Sequence, residues 1–137
     1  MDLKYNSTDG IYSIFEKIGT QTFQMDFCQD GSSNGTLYFY IVMSLYSKRK
    51  DKNFNEDSHK ATGKNPTATL PIALKCFDKL EETIIKDFGD RFNILIYCTW
   101  SDNRRRDIYH HYLKKRGYDY GRVDGMKVII KKINKGQ

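Results

Sequence analysis

Apolar and polar positions follow two periods along this chain, two residues in its first third and three to four in its middle. Over residues 22–28, Phe23, Met25 and Phe27 share one face, and Thr22, Gln24, Asp26 and Cys28 the other. That alternation predicts a half-buried strand. Residues 11–18 fit both strand and helix periodicity, and the bracketing Gly10 and Gly19 favour a short strand. Residues 29–35, Gln-Asp-Gly-Ser-Ser-Asn-Gly, carry turn chemistry. Residues 36–47 are aromatic and β-branched, and predict the partner strand of a hairpin. The first ten residues are polar and predict a frayed end.

The period then changes. Residues 48–63 are charged and hydrophilic, with Phe54 the only large apolar side chain, and predict a mobile surface loop. After them Leu70, Ala73, Leu74, Phe77, Leu80, Ile84 and Phe88 recur at three- and four-residue steps. Lys75, Asp78, Lys79, Glu82 and Lys86 fall between them, so an amphipathic helix is expected. Asn65 precedes Pro66 and is pushed towards extended backbone. Pro71 is tolerated only within the first turn. Together they place the helix start at residues 67–70, with Gly89 as its stop.

Residues 92–100, apolar on both faces from Ile94 to Cys98, predict a buried strand. Ser101 and Asp102 are N-cap types for a second helix over residues 103–116, closed by Gly117. Residues 118–122 and 126–133 flank a Val-Asp-Gly turn and predict a terminal hairpin. The expected order is β-β-β-α-β-α-β-β in an α/β (α+β) arrangement, with a mixed, largely antiparallel sheet. The strands joined by the first helix are expected to be parallel neighbours.

Composition narrows the class. A length of 137 residues, 39% hydrophobic, with ten Tyr and eight Phe, supplies one core and predicts one domain over residues 1–137. No stretch of about 18 apolar residues is present, and no basic-then-apolar secretion signal opens the chain. No membrane partner and a cytoplasmic location are therefore expected. Cys28, Cys76 and Cys98 are odd in number and lie in apolar segments, without metal-ligand spacing. Three buried thiols, with no disulfide framework and no metal, is the reading.

Charge is concentrated at one end. Residues 101–137 hold 11 Lys/Arg against 4 Asp/Glu, a balance of +7, in a chain of net charge +6. Arg104, Arg105 and Arg106 begin the second helix, and Lys114, Lys115 and Arg116 end it. Trp100, Tyr109, Tyr118 and Tyr120 are interleaved, and Lys127, Lys131, Lys132 and Lys135 follow. Cations beside aromatic rings suit phosphates and stacked bases. Arg104, Arg105, Arg106, Lys114, Lys115 and Arg116 are thus candidates for binding nucleic acid or an acidic protein. A solvated basic face is the plain alternative. His110 and His111 are adjacent and point to different helix faces, which excludes an i, i+4 metal pair.

The element order resembles the GNAT family of acyl-CoA-dependent N-acetyltransferases over roughly residues 20–133. In that family three antiparallel strands precede a helix whose N-terminus holds the pyrophosphate of acetyl-CoA on backbone N–H groups, in a loop of pattern Gln/Arg-x-x-Gly-x-Gly/Ala. Lys60-Ala-Thr62-Gly63-Lys64-Asn65 is the matching stretch. Lys60 supplies the cation and Gly63 the glycine, whereas Asn65 stands in place of the last small residue. The resemblance implies that Lys60, Thr62, Gly63, Lys64 and Asn65 bind the cofactor. It implies equally that Tyr109 or Tyr112, on the second helix, protonates the departing thiolate.

A group of small phage proteins with a reduced version of this fold is similar at Thr62-Gly63, at the helix carrying Phe77, at the strand over residues 94–98, and at Arg105, Ile108 and Tyr109. An acyl-CoA-dependent N-acyltransferase of phage origin, acting in the host cytoplasm, is the expectation these resemblances support. The alternatives are a catalytically inactive relative that binds nucleic acid or a host protein through its basic end, and a virion or assembly component.

Overall fold

Period-two alternation becomes a meander of four antiparallel strands in the computed structural model, which describes residues 2–47 and 66–136. These are β1 (Asp2–Asn6), β2 (Ile11–Ile18), β3 (Gln21–Ser33) and β4 (Thr36–Tyr46), each pairing with the next. The expected loop over residues 48–63 lies outside the described residues. The chain continues with α1 (Pro66–Phe88), β5 (Asn93–Cys98), α2 (Asn103–Lys114), β6 (Asp119–Val123) and β7 (Met126–Ile133). The seven strands form one mixed sheet in the order β1-β2-β3-β4-β5-β7-β6, and only the β4–β5 pair is parallel. The architecture is α+β, and the expected parallel pairing across the α1 crossover is present.

Three expectations need correction. The polar N-terminus is not frayed: Asp2–Asn6 is an edge strand in which Leu3 and Tyr5 face Ile14 and Tyr12. The Tyr5 and Tyr12 ring centroids lie 4.3 Å apart. Two apolar residues in five are a weak signal alone, and the already ordered β2 supplies the template that makes them count.

The predicted turn over residues 29–35 contracts to Asn34–Gly35, both at positive φ (52° and 78°), the conformation two-residue hairpin turns require. Asp30 and Gly31 instead enter β3, where the register shifts between Gln29 and Ser32 as a bulge. The first helix begins at Pro66 rather than at residues 67–70. Pro71 then lies beyond the first turn, on the exposed side of the helix, away from the core.

The helices share one face of the sheet. Strand positions with that orientation, among them Ile14, Phe27, Phe39, Ile96 and Ile129, join Phe77, Leu80 and Ile84 of α1 and Tyr109 and Leu113 of α2 in a single core. Phe77 is central, with its ring 5.6 Å from Phe27 and 5.1 Å from Tyr118. The opposite face is polar over β2–β4. Ser13 Oγ donates to Asp26 (2.6 Å), Gln24 Nε2 donates to the same carboxylate (3.0 Å), and Tyr46 Oη donates to Gln24 Oε1 (2.9 Å). Alternation therefore sorts the strand residues between a dry face and a hydrogen-bonded one.

Removing the Phe77 ring leaves a void that the sheet beneath cannot collapse to fill. Phe77→Ala is expected to lower unfolding free energy by about 3–5 kcal/mol. Equilibrium urea denaturation checks this, with exposed Lys79→Ala close to wild type.

Candidate functional site

The sheet opens where its only parallel pair ends. β4 and β5 are in register from Thr36 opposite Asn93 to Tyr40 opposite Tyr97. β5 stops at Cys98, while β4 continues to Tyr46 against β3 alone. Tyr40 Oη lies 3.2 Å from Thr99 Oγ1 at the last point where the two segments meet. Beyond it, α2 leans in with Tyr109 and Leu113, and α1 crosses with Thr69, Leu70 and Ala73. Between them is an apolar cavity of about 50 Å³, closed by Ile41 and Met43 from β4 and by Cys98, Ile108 and Tyr112.

The lining determines what the cavity can do. Its surface is wholly apolar: the Thr69 hydroxyl, the Tyr109 and Tyr112 phenols and the Cys98 thiol belong to residues of its wall but present no polar surface to it. Thr69 is fully buried, and its Oγ1 has no hydrogen-bond partner. Such an orphan hydroxyl is costly to bury, and a ligand oxygen would relieve the cost. Burial pushes the Cys98 thiol up to about 12 and, as the largest cause, that of Cys76 up to about 11. Both are protonated at neutral pH and poor nucleophiles. Among the described residues no carboxylate or imidazole lines the cavity. The space thus suits a small acyl or alkyl group.

The two tyrosines singled out from sequence meet here: Tyr109 is buried, Tyr112 half-buried, and both line the cavity. Lys60, Thr62, Gly63, Lys64 and Asn65 lie outside the described residues. Thr69 was hidden, because a threonine on an apolar helix stripe carries no chemical signature of its own. The three cysteines are free thiols, but the expectation that all are buried fails at Cys28, which is half-buried on the polar face of the sheet.

The six basic candidates do not form one surface. Asp102 caps α2 by accepting the Arg105 backbone N–H (2.8 Å), and it also pairs with the Arg105 side chain. At the other end of the helix Arg116 makes a two-pronged pair with Asp78 of α1 (2.6 and 2.9 Å). This fork ties the helices together. Nearby, buried Glu81 accepts from Lys131 Nζ (2.6 Å) and Tyr118 Oη (3.3 Å). Arg104, Lys114 and Lys115 are exposed. Arg106 alone turns towards the β6–β7 hairpin, where it lines a concavity of about 510 Å³ with Trp100, Tyr120, Arg122 and Lys127.

No group of His, Cys, Asp or Glu among the described residues is arranged to hold a metal. No described helix is long and apolar enough to cross a membrane. No family model, curated protein or solved structure matches the chain.

Burial of Cys98 has a consequence for stability. Its folded-state value is about 12 against about 9 for an ordinary thiol, so the native state keeps a proton that the unfolded chain releases. The stability this contributes is complete below about pH 9 and is lost as pH rises towards 12, at a limiting slope of about 1.4 kcal/mol per pH unit. Tyr12, Tyr97 and Tyr118 are all raised, first by burial, and add the same sign above about pH 10. Urea midpoints should fall between pH 8 and pH 10, and by a smaller step in Cys98→Ala.

Proposed function

We propose that the chain is an acyl-CoA-binding protein of GNAT-like fold that transfers an acyl group to an amine. The observation that carries this reading is the opening between β4 and β5, with Tyr109, Tyr112 and the orphan Thr69 hydroxyl around the cavity behind it.

The cavity fits the reactive tip of such a ligand. One water needs roughly 10–15 Å³ on the same scale, so about 50 Å³ is the size of a short acyl group rather than of a ring system. Bound acetyl-CoA supplies a thioester-activated acyl group. The chain's own residues then have separable tasks. Ile41, Met43 and Ala73 exclude water, which would otherwise hydrolyse a thioester. The Thr69 hydroxyl, buried without a partner in the wall, would reach a carbonyl oxygen within the cavity only on turning towards it. The Tyr109 phenol holds the proton that a departing thiolate takes up, with Tyr112 as the second phenol at the mouth. Cys98 stays protonated, which favours direct transfer over a covalent acyl-enzyme. Among the described residues the wall carries no base.

Calorimetry with acetyl-CoA and desulfo-CoA should show binding at about micromolar strength. Ala73→Phe, which fills the cavity, should remove it. Tyr109→Phe should leave binding intact and slow acyl transfer to a small amine by about 10²- to 10⁴-fold. Silence from both ligands with folded protein would sink the reading.

A further inference from the structure

We infer that the concavity between α2 and the β6–β7 hairpin binds single-stranded nucleic acid, through base stacking on Tyr120 and Trp100 and phosphate contacts from Arg106, Arg122 and Lys127. It is separate from the β4–β5 cavity, and it stands or falls independently of the acyl-CoA reading.

The first argument is an aromatic ring kept in water and held rigid. Tyr120 is 47% exposed, which forfeits the apolar burial its ring could provide. It is nevertheless fixed on several sides. The His110 ring stacks on one face (4.1 Å, 15°), and the edge of Trp100 lies 6.2 Å away at 82°. Asp119 Oδ1 accepts the Tyr120 backbone N–H (2.8 Å) and lies 3.0 Å from His110 Nε2, so one carboxylate orients both rings. A pre-oriented ring loses little entropy when a base stacks on it.

The second argument is unneutralised charge. Arg122 and Lys127 are directly opposite each other across the hairpin, a like-charge placement that weakens strand pairing. Neither has a carboxylate partner among the described residues. The Arg122 guanidinium is braced by donating to Gly125 O (3.0 Å). At the far end of the same basic segment, Arg116 and Lys131 are both paired with acids. Positive potential is thus retained at the hairpin, next to the exposed Tyr120 ring and half-buried Trp100, where an anion would offset it.

The combination selects the ligand. Arg122 and Lys127, with Arg106 of α2 beside them though paired with Asp107 (3.0 Å), suit successive phosphates along a backbone. The exposed Tyr120 ring requires unstacked bases, which a duplex conceals and a single strand offers. A concavity of about 510 Å³ has the size of one nucleotide-scale site with exposed walls at Tyr120, Arg122 and Lys127, through which a strand can continue.

The chain's only tryptophan is Trp100, so its fluorescence reports on this site alone. A labelled oligothymidine of about 20 nucleotides should bind and quench Trp100 emission, with a log–log salt slope of about −2 for three phosphate contacts. Tyr120→Ala should weaken binding about tenfold or more, with an unchanged circular dichroism melt. Arg122→Ala/Lys127→Ala should reduce the slope by about 1.4. Lys114→Ala/Lys115→Ala, the same charge change at the C-terminal end of α2, should leave both nearly unaltered. The inference is overturned by any of three results: no binding at low salt, equal losses in the two double variants, or a duplex of equal length binding as tightly without quenching Trp100. A mononucleotide that binds as tightly as the strand would also overturn the assignment to a polymer.

Discussion

The organisation of this protein depends on one short parallel contact. β4 and β5 share a five-residue register, and they can do so only because α1 carries the chain back across the sheet between them. The same crossover lays the helix stripe of Phe77, Leu80 and Ile84 over the strand residues that become the core. Parallel pairing requires such a covered connection. Where the pairing stops, nothing in the sheet replaces it: β5 ends, β4 runs on, and α2 fills only part of the angle. The cavity is what remains beside β4 where β5 ends and the two helices leave the space unfilled.

This geometry confers unusual chemistry on ordinary residues. Thr69 sits on a helix face that elsewhere carries Ala73, Cys76 and Leu80, and in that company its hydroxyl is stranded. Cys98, the last residue of β5, is buried so completely that its thiol is held protonated. Burial by itself thus separates a hydroxyl in search of a partner from a sulfur that is chemically quiet. The tyrosines of α2 differ in the same way: Tyr109 points into the core and Tyr112 lies at its margin.

The positive charge of the C-terminal quarter follows a second logic. In one dimension it is a run of cations; in three it divides. One portion is absorbed by acids of α1, Asp78 and Glu81, and becomes part of the tie between the helices and β7. The other portion collects with Trp100 and Tyr120 where β6 and β7 turn through Asp124–Gly125, both at positive φ. What lies opposite each cation, rather than its place in the run, therefore decides whether its charge is neutralised within the fold.

The amphipathic stripe of α1, the alternation of β3 and the two-face apolar run of β5 were each legible in the sequence. Backbone periodicity and side-chain direction are local properties, and burial follows them. So was the presence of a phenol pair on α2 and of a basic, aromatic C-terminal quarter. The strand Asp2–Asn6 and the contraction of the turn before Asn34–Gly35 were not, because an edge strand and a bulge exist only relative to a neighbour that propensity cannot see. Nor were the orphaned Thr69 or the division of the basic residues, since each depends on atoms far away in the chain: Asp78 for Arg116, and Ile41 and Tyr109 for the cavity beside Thr69. The sequence determined which faces would be dry and where cations and rings would concentrate. Tertiary structure decided which of those groups meet, because desolvation and pairing are properties of the enclosed space and not of the chain.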